Sequence, residues 1–570
     1  MNRAGFVPKA IAVLVSLYCQ TAAAWSDGAG FRSMEVLPGT SGKAGFTLMD
    51  PKATGVWFTN ELRGDAYLTN AVAHNGAGVA IGDVDGDGWQ DIYLCSLQGP
   101  NRLYRNLGNW HFEEMDIGGA ACADQLSTGA TFADVDGDGD LDLFLGGRVK
   151  AGRYPEPANS CLLRNDGETF SVAQSFPDFG LVSGAVFTDL NGDGEPDLAV
   201  ACEWGPVRLF RNEGGKLVAW DAPVTINGQP STISQLTGWW NGIAAGDFDG
   251  DGRLDLVASN WGRNWRTDQP PGVDIPVQLF YGDFASNGVV QTVLASFDPK
   301  LSMVTPWRER KVIAAAIPSV AERLPNHHAY GRASVQDVLG NQGVELQATT
   351  PDSMVFLNRG DHFEARPLPI EAQFAPAFGI GVADFDGDGK EDVFLAQNFF
   401  GVDAETSRHD AGTGLLLLGD GRGGFRALGP REAGIAIYGE QRGCAVCDYD
   451  ADGRMDLAVT QNGAETKLYR NREAKPGLRV RLHGPAGNPS GVGAELRLKF
   501  GQRFGPAREV HAGGGYWSQD SAIEVLSTPE PPDEIWIRWA GGRVTTSVIP
   551  HAAKEILVDF DGRLAVRDPR

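Results

Sequence analysis

Short runs of alternating apolar and polar positions recur along the chain, each broken by an acidic, glycine-rich turn. Gly78-Val-Ala-Ile-Gly82 and Gly379-Ile-Gly-Val-Ala383 are such runs before a turn. After the turns come Ile92-Tyr-Leu94, Leu143-Phe-Leu145, Leu198-Ala-Val200, Leu256-Val-Ala258, Val393-Phe-Leu395 and Leu457-Ala-Val459. Runs this short with period two are strands, so each turn joins strand to strand. A third strand follows in most copies: Leu103-Tyr-Arg-Asn106, Leu162-Leu-Arg-Asn165, Leu209-Phe-Arg-Asn212, Val355-Phe-Leu-Asn358 and Leu468-Tyr-Arg-Asn471. A fourth is marked by Gly and then Phe, at Phe112, Phe170, Phe363 and Phe425. Four strands repeated every roughly 50 to 60 residues make a β-propeller blade.

The turns are one nonapeptide written six times. Positions 1, 3, 5, 7 and 9 are Asp83, Asp85, Asp87, Trp89 and Asp91 in the first copy. They are Asp134, Asp136, Asp138, Asp140 and Asp142 in the second, and Asp189, Asn191, Asp193, Glu195 and Asp197 in the third. The fourth has Asp247, Asp249, Asp251, Arg253 and Asp255. The fifth has Asp384, Asp386, Asp388, Lys390 and Asp392, and the sixth Asp448, Asp450, Asp452, Arg454 and Asp456. Turn chemistry alone explains Asp-Gly, but not carboxylates at positions 1, 3, 5 and 9 together. A hard divalent cation wants six to eight oxygens. Alternating Asp supplies three, Gly at position 6 permits the sharp turn, position 7 offers its carbonyl, and position 9 closes the sphere. An EF-hand needs Glu at position 12 and flanking helices, whereas the first copy has Leu94 there and strands on both sides. The pattern predicts strand-to-strand calcium loops, about six sites, with magnesium suited less well.

The long gap between Asp247 and Asp384 is expected to hide a seventh, degenerate blade at Asp283-Phe-Ala-Ser-Asn287-Gly-Val-Val-Gln291, which has lost the third and ninth carboxylates. The same gap carries an insertion at about 300–350, with helical character around Trp307–Ile317 and Ser334–Leu339. The last repeat lacks a fourth strand after Asn471, and Phe46-Thr-Leu-Met49 is expected to supply it, closing the ring and removing its edges. Residues 477–560 alternate again, as in Leu478-Arg-Val-Arg-Leu482 and Glu534-Ile-Trp-Ile-Arg-Trp539, and predict a small β domain. The expected fold is all-β: a seven-bladed β-propeller at 25–475, one blade degenerate, then a small β-sandwich at 476–570.

Composition narrows the function. Glycine numbers 75 of 570 residues, nearly twice its usual share, and tight turns between short strands use it. The net charge of −24 argues against nucleic acid or an anionic membrane as partner and suits a chain that collects cations. Arg3 and Lys9, the apolar stretch Ile11–Cys19 and Ala22-Ala23-Ala24 form a secretory signal over 1–24, too short to span a bilayer. The expected location is secreted or periplasmic. Cys95, Cys122, Cys161, Cys202, Cys444 and Cys447 are too few for a disulfide framework, and Cys444-Ala-Val-Cys447 sits in a strand without a second pair. His327-His328 reads as a solvated loop, and Arg63-Gly64-Asp65 as coincidence in a Gly- and Asp-rich chain. Trp239, Trp240, Trp261, Trp265 and Trp307 read as blade packing, with a sugar-stacking face as the alternative.

The loops with their flanking strands resemble FG-GAP or VCBS repeats, the units of integrin α-subunit propellers, over about residues 70–475. Gly491-Val-Gly-Ala494 and Gly515-Tyr-Trp-Ser-Gln519 resemble the ASPIC/UnbV domain. Together they resemble the cartilage acidic protein family in a bacterial-type form, without the EGF-like tail of animal members, since no cysteine follows Cys447. The resemblance implies calcium binding and secretion rather than a reaction. No G-x-S-x-G, H-E-x-x-H or P-loop occurs. The expected function is a secreted, calcium-stabilised binding or adhesion module for a protein or glycan. The alternative is an enzyme acting on an extracellular polysaccharide or ester at the propeller mouth.

Overall fold

The computed structural model describes residues 26–28, 31–33, 46–59, 79–82, 91–94, 102–115, 130–150, 153–165, 170–264, 276–402, 406–485 and 487–567. The leader, Arg63-Gly64-Asp65, the first acidic loop up to Gln90, Cys95, Cys122 and Trp265 lie outside them.

Strand makes up nearly half of the described chain, and helices are few and short. One antiparallel meander recurs: Val79–Gly82, Asp91–Leu94, Arg102–Asn106 and Phe112–Met115. Ala130–Ala133, Asp142–Leu145 and Ala158–Asn165 continue into the first half of a 19-residue strand, Phe170–Thr188. The second half of that strand opens the next sheet, with Asp197–Pro206, Arg208–Asn212 and Leu217–Trp220. Ile243–Gly246, Asp255–Ala258, Met354–Asn358 and Phe363–Pro367 form a fourth, and Ala377–Ala383, Asp392–Gln397, Leu415–Gly419 and Phe425–Leu428 a fifth. Glu440–Cys447, Asp456–Asn462 and Lys467–Asn471 form a sixth, whose fourth strand is Phe46–Leu48.

The first strands lie side by side in the order Ala130–Ala133, Phe170–Thr188, Ile243–Gly246, Ala377–Ala383, Glu440–Cys447, Val79–Gly82, a propeller-like arrangement around an axis. Alternation places successive side chains in different cores. Cys444 and Val446 pack with Phe394 and Leu416 of the preceding sheet, while Ala445 and Cys447 pack with Ile92, Tyr104 and Trp110 of the first. The two cysteines of C-x-x-C thus point to opposite faces and are free thiols.

The expected seventh blade at Asp283 is absent from this order. The Asp283 loop joins Val277–Gly282 to Gln291–Asp298 in a separate sheet, completed by Met303–Pro306 and Val344–Ala348. That sheet and the helices Arg310–Ala316, Ser319–Arg323, His327–Tyr330 and Val335–Leu339 are inserted between the second and third strands of the fourth sheet. The missing ninth carboxylate explains the difference. In the fourth sheet Asp255 accepts from Phe248 N–H (3.0 Å) and from Asn358 N–H (2.6 Å), tying the loop and the third strand to the second. Gln291 in the same place accepts only from Ala285 N–H, at 3.2 Å, within its own loop.

The C-terminal segment builds two sheets. Glu524–Leu526, Leu478–His483, Glu555–Asp559 and Leu564–Arg567 form one, its central pair parallel. Glu495–Phe500, Glu534–Arg538 and Val544–Val548, with the short strands Arg503–Phe504 and Arg508–Glu509, form the other. Both contribute to one core: Val480, Leu482, Ile556 and Val558 from the first, Leu496, Leu498, Ile535 and Ile537 from the second.

Candidate metal loops and a threaded channel

Each described loop is folded by its own carboxylates. The first Asp accepts two backbone N–H groups from the glycine-rich turn: Asp134 from Gly137 (2.8 Å) and Gly139 (3.0 Å), Asp384 from Gly387 (2.7 Å) and Gly389 (2.6 Å). The fifth accepts the N–H of position 7: Asp140 to Asp138, Glu195 to Asp193, Arg253 to Asp251, Lys390 to Asp388 and Arg454 to Asp452, at 2.8–3.1 Å. The ninth is buried and bridges the second residue of its loop to the third strand or its end, as in Asp197, Asp255, Asp392 and Asp456. Burial pushes Asp197 up to about 7, the like charges of Asp189 and Asp193 adding to it against the N–H of Asn212. Burial likewise pushes Asp255 up to about 8.

Four loops gather three carboxylates whose oxygens lie within 4.8 Å of one another: Asp134, Asp136 and Asp138; Asp247, Asp249 and Asp251; Asp384, Asp386 and Asp392; Asp448, Asp450 and Asp456. In the third loop Asn191 donates its amide to Asp193 (2.7 Å) instead. The donor set is all oxygen and fits a hard cation. In the sixth loop Asp450 Oδ1 is buried with no hydrogen-bond donor, and the carboxyls of Asp450 and Asp386 are pushed up by burial and then by neighbouring Asp charges. A cation in the loop would satisfy that oxygen and remove the repulsion.

The Arg and Asn residues at or just beyond the end of the third strand are part of the same machinery, a role the sequence displayed and the carboxylate pattern obscured. Arg164 pairs with Asp136 at 2.7 Å, Arg470 with Asp450 and Arg359 with Asp249. Asn212, Asn358 and Asn471 donate their amides across to Val135, Leu190 and Phe385 of the preceding sheet's loop, at 2.7–2.8 Å. At position 7 the side chains of Lys390 and Arg454 turn back on Asp388 (2.6 Å) and Asp452 (2.9 Å).

The C-terminal sheets sit directly on these loops. Four first-position carboxylates bond to the C-terminal segment: Asp189 to Arg538 (2.6 Å), Asp247 to Ala507 N–H (2.9 Å), Asp384 to Ser527, and Asp448 to Arg479. Between Ala507 and Ser527 the chain enters the propeller axis and returns. On the way in, Ala512 O accepts from Phe132 N–H (2.8 Å), and Gly515 exchanges both backbone bonds with Ile243 (2.7 and 3.0 Å). The tip turns with Gly514 N–H on Ser518 O (3.0 Å). On the way out Ser518–Gln519 pairs in parallel with Val79–Gly82, and Asp520 accepts from Val446 N–H (2.8 Å). Gly184 and Gly242 give the chain room: a Cβ on Gly184 or Gly242 would lie 2.6 or 2.9 Å from Gly515 O.

Around the hairpin a cavity of about 60 Å³ is lined by Glu391, Arg508, Glu509, His511, Asp520 and Glu524. Arg508 pairs with Glu391 (2.6 Å) and His511 with Glu509 (2.8 Å). Burial pushes Asp520 up to about 7.

Other candidates resolve as packing. Trp240 is fully buried in a blade core and Trp307 donates to Ser296 (2.9 Å) in the insertion. His327 and His328 are exposed on a single helical turn, outside every carboxylate group described above. Among the described residues no helix is long and apolar enough to cross a membrane.

The FG-GAP-like repeat model matches residues 69–145 and 189–258. Cartilage acidic protein 1 of Xenopus tropicalis is 28% identical over 220 residues, covering 35% of this chain and 32% of that protein. The Homo sapiens protein is 27% identical over 231 residues, covering 37% and 32%. The match thus spans about a third of the length of these relatives. Among solved structures, the SapL1 lectin in complex with alpha methyl fucoside is 11% identical with a TM-score of 0.30, covering 71% of this chain and 98% of that one.

Proposed function

We propose that this FG-GAP repeat chain is an exported β-propeller protein that binds an extracellular or periplasmic protein or glycan, with calcium in its acidic loops. The ring is read as six blades closed by Phe46–Leu48, and the C-terminal segment as a β-sandwich of the ASPIC/UnbV type. In the loops Asp and Asn at positions 1, 3, 5 and 9, with the carbonyl of position 7, hold the ion. The ion supplies positive charge to carboxylates that otherwise repel. The observation that carries this reading is the repeated gathering of three carboxylate oxygens within 4.8 Å, one of them buried without a donor.

Calcium here has two structural tasks. It neutralises each loop, and it fixes the first-position carboxylates on which Arg538, Ala507, Ser527 and Arg479 seat the C-terminal domain. With a Kd near 10⁻⁴ M and 1 mM calcium, each site contributes about 1.4 kcal/mol. Metal analysis and thermal unfolding of the purified full chain, with calcium and with chelator, test the reading. About six ions per chain and a large fall in Tm on chelation are expected. No bound calcium and an unchanged Tm would refute it.

A further inference from the structure

The hairpin tip emerges at the mouth of the axis opposite the loops. Each acidic loop joins the end of a first strand to the start of a second, so the start of the first and the end of the second mark the far side. Arg148, Trp239, Trp261 and Phe399 all occupy such positions. There Trp204 meets Trp239 at a tilt (centroids 4.7 Å apart), Trp239 stacks on Trp261 (4.0 Å), and Trp261 meets Phe399 at 5.0 Å. The tip packs into this arc: Tyr516 is fully buried against Phe378 (5.3 Å), and Trp517 stacks on Tyr516 at 4.5 Å and 16°. Trp517, Trp239 and Phe399 keep part of their surface open.

Two further features mark this mouth. The first is a set of buried donors with nothing to bond. Arg148 is 3% exposed; one guanidinium nitrogen pairs with Glu203, while Nε and Nη1 have no partner. Its charge acts on Tyr516. Trp517 Nε1 is also buried and unpartnered. Each such N–H is destabilising unless something accepts from it. The second is backbone strain: Trp204, Asn398 and Trp517 have φ of +56°, +88° and +50°, a conformation uncommon for non-glycine residues and strained for a bulky one such as Trp.

We infer that this mouth is a saccharide-binding site in which one sugar ring stacks on the open face of Trp517 and a neighbouring sugar unit accepts hydrogen bonds from Trp517 Nε1 and Arg148. The inference rests on the binding-module reading and names its ligand class. The charges here are paired, Arg148 with Glu203 and Arg442 with Glu440 (2.6 Å), so a neutral ligand suits the site. Arg148 comes from a strand end beside Glu203 and acts on Tyr516, the residue on which Trp517 stacks. A pyranose offers acceptors on several edges around a flat apolar face, whereas a peptide strand offers them along one line.

The test uses the full chain in calcium-containing buffer on an array of neutral hexose, amino-sugar and deoxy-sugar oligosaccharides, with calorimetry on the best binder. A parallel array carries proline-rich and mixed-sequence peptides. Trp517→Ala is expected to weaken saccharide binding at least 30-fold. Trp517→Phe, which keeps the ring and loses the N–H, is expected to weaken it about 10-fold. Calcium content and Tm are expected to stay at wild-type values in both. Saccharide binding that both variants leave unchanged overturns the site. Absence of saccharide binding by the wild type, or peptide binding lost in Trp517→Ala, overturns the ligand class. A wild-type chain that holds no calcium refutes the calcium reading alone, since the array is read independently of metal content.

Discussion

Gly184→Ala tests whether the hairpin is held in the propeller axis as described. Gly184 lies in an extended strand, so alanine brings no backbone strain of its own. Its Cβ would lie 2.6 Å from Gly515 O and 3.2 Å from Asn241 O, both backbone atoms that cannot swing aside. Relief requires the tip to move by several tenths of an ångström, away from Ile243. The two backbone bonds between Gly515 and Ile243 (2.7 and 3.0 Å) weaken with that movement, at about 1 kcal/mol each. Overpacking adds about 1–3 kcal/mol. A loss near 3 kcal/mol raises the undocked population on the order of 100-fold. Limited chymotrypsin digestion reads this population, because Tyr516 and Trp517 are cleavable only when withdrawn. Cleavage there should accelerate on the order of 100-fold while the first unfolding transition of the blades moves little. Cleavage at the wild-type rate would refute the threaded arrangement.

Arg479→Ala leaves Asp448 and Glu555 buried without their shared cation, which should cost about 3–5 kcal/mol in chelator. In calcium the loss should be smaller, because the ion serves Asp448. Equal losses in calorimetry would remove metal from that loop. Asn471→Ala deletes buried bonds to Phe385 O (2.8 Å) and Met455 O (3.2 Å). A loss of about 1–2 kcal/mol is expected by denaturant titration, with or without calcium. Docking should also weaken with rising pH. Asp520, pushed up to about 7 by burial among Glu524, His511 and Arg508, holds its proton more tightly docked than free, as does His511, raised by Glu509. Stabilisation from Asp520 is full below about pH 4 and lost as pH approaches 7. Digestion at Tyr516 should therefore be slower at pH 5 than at pH 8, after correction for protease activity. A flat profile would contradict it.

The strands and loops were legible because each repeat writes its own period and its own turn. The short period-two runs announced strand pairs, and Phe46 was readable as the closing strand because the last repeat visibly lacked one. The Asp283 segment misled because the first and fifth loop positions survive there, while it is the missing ninth carboxylate whose two bonds tie the loop and the third strand to the second. The fourth sheet's strands are split by the insertion, and only the Asn358 and Phe363 signatures kept their place. The hairpin was not legible. Its Gly513-Gly-Gly515 run signals close backbone approach, but the strands it approaches lie hundreds of positions earlier, as with the Thr131–Ala512 contact, 381 residues apart. Likewise Arg479 and Arg538 look like solvated strand residues, since alternation within one domain carries no record of the surface it docks on.

The threaded hairpin imposes an order of events on synthesis. The sixth sheet cannot complete until Lys467–Asn471 meets Phe46–Leu48, and the segment that fills the axis follows both. A chain emerging from its N-terminus therefore passes through a stage in which Val79–Gly82 lacks the partner strand Ser518–Gln519 supplies. Contacts of such long sequence separation form slowly, and unpaired edges recruit neighbouring chains. A translation stop or a nick between Asn471 and Ala507 would leave every blade encoded and the axis open, so such products should aggregate or be degraded faster than truncations that remove whole repeats.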